Sequence, residues 1–82
     1  MPKSFIISYV KKLSKNDFIK YIKKNNIEAS NNDIDTVYLY MQKYCDVFFD
    51  NPLFYINKLK GNISDNSYNI ILSLYNEYKN YL

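Results

Sequence analysis

Residues 14–45 read SKNDFIKYIKKNNIEASNNDIDTVYLYMQKYC. Ser14 and Ser30 are each followed three residues later by an aspartate, Asp17 and Asp33. That is the spacing of a capping box, in which a serine hydroxyl takes up a free N–H of the first helical turn and the third residue reaches back toward the cap. Behind each cap the apolar residues recur with helical period. In the first segment Phe18, Ile22 and Asn25 fall in one narrow arc flanked by Ile19 and Tyr21, and Lys20, Lys23 and Lys24 take the opposite side. In the second, Ile34, Val37, Tyr38, Met41 and Cys45 form a stripe from which Leu39 and Tyr40 fall away. Between the two, Asn25-Asn26 has the chemistry of a left-handed stop, because asparagine tolerates positive φ better than other residues with a side chain. Ile27 should then dock back on the core.

Upstream, Phe5, Ile6, Tyr9, Val10 and Leu13 follow helical spacing, with Ser4, Ser8 and Lys11 on the other side. Downstream, Asp46-Val47-Phe48-Phe49 reads as a short buried connector. Asn51 and Pro52 restart a helix as N-cap and first residue, where a missing N–H costs nothing, and Leu53, Ile56 and Leu59 face the core. Gly61, the single glycine, stands where a left-handed C′ residue belongs. Ser64 caps a last helix with the stripe Tyr68, Ile71, Leu72, Tyr75, Tyr78 and Leu82. Period-two alternation is not sustained and no hairpin turn pair occurs. The expectation is an all-α single domain over residues 1–82, a small bundle of four or five short helices. Its core should hold Phe18, Ile22, Ile34, Val37, Tyr38, Met41, Leu72 and Tyr75.

Composition narrows the chemistry. These 82 residues can hold one compact domain, and 48% of them are hydrophobic and 18% aromatic, which argues against intrinsic disorder. There is no His and no Trp, one Gly and one Cys, so the usual equipment of metal sites, imidazole catalysis and glycine-rich phosphate loops is missing. All eleven basic residues are Lys, and with ten Tyr and abundant Asn and Ile this follows the A/T-rich codons. The net charge of +3 is uneven: residues 1–24 carry seven Lys against Asp17, for +6, and residues 25–57 carry −4. A lone Cys45 fits a reducing cytoplasm. The longest uninterrupted apolar run, Val37 to Met41, is too short for a signal core or a membrane span.

Short motif matches have ordinary explanations. Ser8 with Lys11 fits S-x-x-K and Ser64-Asp65-Asn66 fits S-D-N, two signatures of penicillin-recognising serine enzymes, but the third is absent and the chain is far too short for that fold. Asp33-x-Asp35 opens like a calcium loop, yet Tyr38 stands where glycine is needed and Tyr44 where the bidentate glutamate is needed. Acids opposing a helix dipole account for it. Cys45 on an apolar stripe reads as an inert buried thiol. No catalytic, cofactor-binding or metal-ligating residue is expected, and the chain reads as a non-enzyme.

Leu13-Ser14, Phe18, Tyr21, Asn26-Ile27 and Ser30, followed by a helix, the Val47-Phe48-Phe49-Asp50 connector, another helix and a Ser-capped last helix, together resemble the YqfT-like family. That is a group of small proteins of unknown function from low-GC Gram-positive bacteria. The resemblance runs from Leu13 to the end of the chain; it implies a small protein of the same kind and carries no activity.

Two functional expectations follow. The last helix holds a second stripe, Ile70, Leu74 and Tyr81, beside Ile71, Tyr75, Tyr78 and Leu82, and the two span an arc of about 200°, wider than one core uses. Either this helix is the central one of the bundle, wrapped by the others on both flanks, or the second stripe meets a protein partner, in the simplest form a second copy in a homodimer; the partner is the expectation carried forward. The alternative is a nucleic-acid-binding module that uses Lys20, Lys23 and Lys24, on a helix followed by an extended link and a second helix as in helix-extended-helix modules. A membrane-surface role for Phe5, Ile6, Tyr9 and Val10 is set aside, because a domain this small needs them in its core.

Overall fold

A computed structural model of the protein describes residues 3–81, the last by its backbone alone. Among the described residues there are five α-helices: α1 (Lys3–Lys12), α2 (Lys15–Lys24), α3 (Asn31–Tyr44), α4 (Pro52–Asn57) and α5 (Asp65–Tyr78). Short 3₁₀ turns cover Phe48–Asp50 and Lys79–Tyr81. No strand forms among the described residues; a single bridge joins Lys60 to Ile63. The chain is an all-α bundle.

Its boundaries are set by local chemistry. Ser14, Ser30 and Ser64 all sit in extended backbone, and each hydroxyl accepts the N–H three residues on, from Asp17, Asp33 and Ser67, at 3.1, 3.1 and 3.2 Å. Helix α2 stops at Asn26, whose φ of 55° is left-handed. The Ile27 N–H returns to the Ile22 carbonyl at 3.1 Å, closing a Schellman-type end, and the Asn25 amide donates to the Tyr21 carbonyl at 2.8 Å. Ile27 is thereby folded onto the core. Gly61, at φ 84°, makes the other left-handed turn, although α4 itself stops at Asn57 and a turn fills the gap. Asn51 stands at the N-cap of α4, but its side chain makes no capping bond.

Helix α3 is the hub. Phe18, Ile22 and Ile34 form the buried cluster, with Leu13, Ile19, Ile27, Ala29, Val37, Tyr38 and Met41 packed against it. The Tyr38 hydroxyl donates to the Leu13 carbonyl at 2.7 Å and the Gln42 amide to the Val10 carbonyl at 2.7 Å. Carbonyls at the exit of α1 are therefore held by side chains of α3, which docks the two helices end to flank. Two ion pairs repeat the theme at the surface: Lys11 with Asp46 at 2.8 Å and Lys15 with Asp35. The Asp46 carboxylate raises the Lys11 pKa by hydrogen bond and charge.

Four expectations need correction. Leu72 and Tyr75 are only half-buried and stand outside the buried cluster, and Ile56, Leu59, Ile63 and Cys45 are the further buried apolar residues instead. Leu53 is exposed. The Asp46-Val47-Phe48-Phe49 connector is not buried: Asp46 and Val47 are exposed and the two rings half-buried, packed edge to face on each other. On α1 the half-buried side is Ile6, Ile7 and Val10, while Phe5 and Tyr9 are 68% and 64% exposed. The helix has turned its wholly aliphatic face inward and left the rings at the water, where a tyrosine hydroxyl is hydrated without cost.

Candidate functional site

Three features of the bundle have functional content: an apolar cavity, a basic groove, and a buried carboxylate.

The cavity, about 440 Å³ and partly open to solvent, lies between the helices. Every helix contributes to its wall, among others through Val10, Ile22, Met41, Ile56, Ile70 and Leu74. No described side chain is fully buried in the sense of losing all but a trace of its surface. The space opens to solvent, and its apolar lining is left without the close packing usual in a protein interior. Ile70 and Leu74, the second stripe of α5, are half-buried on this wall. Tyr81, the third residue expected with them, has its side chain outside the described residues, as has all of Leu82.

Between α1 and α2 lies a shallow depression of about 360 Å³ lined by Tyr9, Lys12, Leu13, Asp17, Lys20, Tyr21 and Lys24. Helical spacing explains the α2 contribution: Asp17, Lys20, Tyr21 and Lys24 are three or four residues apart and share a side. Of the three lysines expected to act together, Lys20 and Lys24 line the depression and Lys23 does not. Lys12 joins them from α1. Sequence reading missed Lys12 and Tyr9 because the angle between two helices is not written in either helix, and it placed Tyr21 on the flank of the apolar arc although helical spacing sets it beside Lys24; the excess of lysine in the first 24 residues was the available signal.

Asp33, read from sequence as a local capping acid, is 6% exposed. Its carboxylate leaves its own helix and accepts from the start of α5: the Ser64 hydroxyl at 2.7 Å, the Ser67 hydroxyl at 2.7 Å, and the Ser64 N–H shared between both oxygens at 3.2 and 3.3 Å. The hydroxyl of Ser64, then that of Ser67, holds the carboxyl below its ordinary pKa; burial opposes them, and the Ser64 N–H adds to them. A carboxylate kept ionised and fully hydrogen-bonded is a poor base, and hydroxyls that donate to it are not thereby made nucleophiles. The cluster fastens α5 to α3.

Among the described residues no group of His, Cys, Asp or Glu could hold a metal ion, and no helix is long and apolar enough to cross a membrane. Cys45 is buried with its thiol 4.0 Å from the Gln42 carbonyl. Ser8 is exposed on α1 and its motif partner Lys11 is engaged with Asp46. Ser64 serves as a helix cap, with Asp65 in the first turn behind it. No family model, curated protein or solved structure matches the chain.

Proposed function

We propose that this protein is a non-catalytic interaction module whose incomplete core is filled by another protein chain, in the simplest case a second copy of itself. The observation that carries the reading is the apolar cavity of about 440 Å³, walled in part by Ile70 and Leu74. Helix α5 carries more apolar surface than the Phe18, Ile22, Ile34 cluster uses, and the surplus lies along unfilled space. The same chain displays apolar side chains that could enter such a space, with Phe5, Leu39, Leu53 and Phe54 all exposed. An isologous contact closes a dimer with one patch, and obligate interfaces of this kind resemble a domain core cut in half. A lone buried Cys45 supports a reducing, cytoplasmic setting.

Sedimentation over a range of concentrations tests this, beside hydrogen exchange of α5 over the same range. The expected result is a dimer at tens of micromolar, with α5 amides gaining protection as the dimer forms. An Ile70→Lys plus Leu74→Lys variant should be monomeric. A wild type that stays monomeric with concentration-independent exchange, or that carries a small apolar molecule in native mass spectrometry, would sink the proposal.

A further inference from the structure

The basic depression between α1 and α2 is a second site, which shares only Tyr21 with the lining of the apolar cavity. We propose that it binds single-stranded nucleic acid, with the phosphate backbone held by Lys12, Lys20 and Lys24 and bases stacked on the rings of Tyr9 and Tyr21.

Charge distribution is the first argument. The lysines nearest to this site that do have partners are Lys11, paired with Asp46, and Lys15, paired with Asp35. Lys12, Lys20 and Lys24 form no ion pair with any described residue, and they converge on one depression. Asp17 is the one acid on its lining, so the site keeps a net charge of +2 within a segment of +6. Converging cations without carboxylate partners are what polyphosphate binding requires, because each phosphate neutralised releases a counterion from the strand.

The aromatic rings are the second argument, and they select among polyanions. Tyr9 and Tyr21 are 64% and 49% exposed and make no ring contact with another described ring, whereas the pairs formed by Phe18, Tyr38, Tyr40, Tyr44, Phe48, Phe49, Phe54 and Tyr55 show how readily rings of this chain find one another. A tyrosine face left at the rim of a cationic depression offers a platform to a flat heterocycle, and a base has two free faces only when it is out of a duplex. Lysine supplies point charge without the planar fork that reads guanine, so recognition here is by backbone and stacking, with little sequence preference.

Fluorescence anisotropy with a short labelled oligo-dT, its duplex with oligo-dA, and matching RNA tests the assignment. The expected result is single-strand binding that weakens with salt at a log–log slope of about −2, as three lysine contacts give on a single strand. Lys20→Gln plus Lys24→Gln should bring the slope to about −0.7. Tyr9→Ala plus Tyr21→Ala should weaken binding roughly tenfold or more, while Tyr9→Phe plus Tyr21→Phe, which keeps both faces, should restore it. Lys60→Gln, away from the depression, should change nothing. Circular dichroism of each variant checks that the helices remain; should the alanine pair unfold, the single strand's preference over duplex still decides. Duplex bound as tightly as single strand, heparin bound with no effect of the tyrosines, capture by phosphatidylserine vesicles in place of the oligonucleotide, or no binding at low salt would each overturn the proposal. The dimer test does not touch these residues, so either reading can fail alone.

Discussion

Ser14 to Asp17 and Ser30 to Asp33 are the same four-residue device placed 16 residues apart, yet they do different work. In both, the serine hydroxyl accepts the aspartate N–H at 3.1 Å, so the local geometry is duplicated. The carboxylates part company. Asp17 is exposed on the basic depression, and Asp33 is buried against the first turn of α5. A capping box normally turns its acid back to its own N-cap. Asp33 instead satisfies the N-cap N–H of a helix more than 30 residues away. One local motif can therefore end as a surface cap or as a tertiary fastener, according to what folds over it.

That comparison can be sharpened by substitutions made in parallel at the two sites. The apolar residue behind each aspartate should behave alike, because Phe18 and Ile34 belong to one buried cluster. Phe18→Ala should cost about 3–5 kcal/mol and Ile34→Ala about 2–5 kcal/mol, enough to unfold a chain of this stability. Thermal and urea denaturation followed by circular dichroism would measure both, and a clearly harmless Ile34→Ala would break the shared core.

The aspartates should then separate. Asp33→Ala leaves two hydroxyls and an N–H without their acceptor and should cost about 3 kcal/mol, whereas Asp17→Ala should stay within about 0.5 kcal/mol. Acid titration of the wild type reads the same difference. With its folded pKa lowered, Asp33 stabilises the fold fully above the ordinary aspartate value of about 3.9, and that contribution is lost as pH falls through the folded value. Asp33→Asn should remove this loss from the acid limb of the stability curve, and Asp17→Asn should leave it. Equal costs at the two aspartates would mean that Asp33 is only a local cap.

The smallest effect belongs to the serines. Ser14→Ala and Ser30→Ala should each cost about 1 kcal/mol, since each loses one capping bond of the same length. Matched values would confirm that the difference between the regions lies in the carboxylates alone.

The elements that were legible in the sequence are those built by neighbours. Three serine caps, the left-handed Asn26 and Gly61, and the Phe18, Ile22, Ile34 stripe positions all depend on residues within about one or two helical turns. The parts that were not legible depend on relative placement. Leu72 and Tyr75 match the helical period as well as Phe18 does, but period says only that a face is apolar and leaves open what it meets. Lys20 and Lys24 of the basic site were visible, four residues apart on one helix with Tyr21 on the same side; Tyr9 and Lys12 joined them only when α1 settled beside α2.

By itself, then, the sequence determined an all-α chain, its helix starts and stops, and the absence of imidazole and of a second cysteine, because caps, periods and residue types are local or compositional. The tertiary structure alone decided that α3 is the hub, that Asp33 serves α5, that Ile70 and Leu74 wall a cavity, and that three lysines without carboxylate partners meet two exposed rings. The physical reason is the rotation of each helix about its axis. That angle is set by the sum of many weak contacts with other elements, no one of which is encoded in the segment that turns.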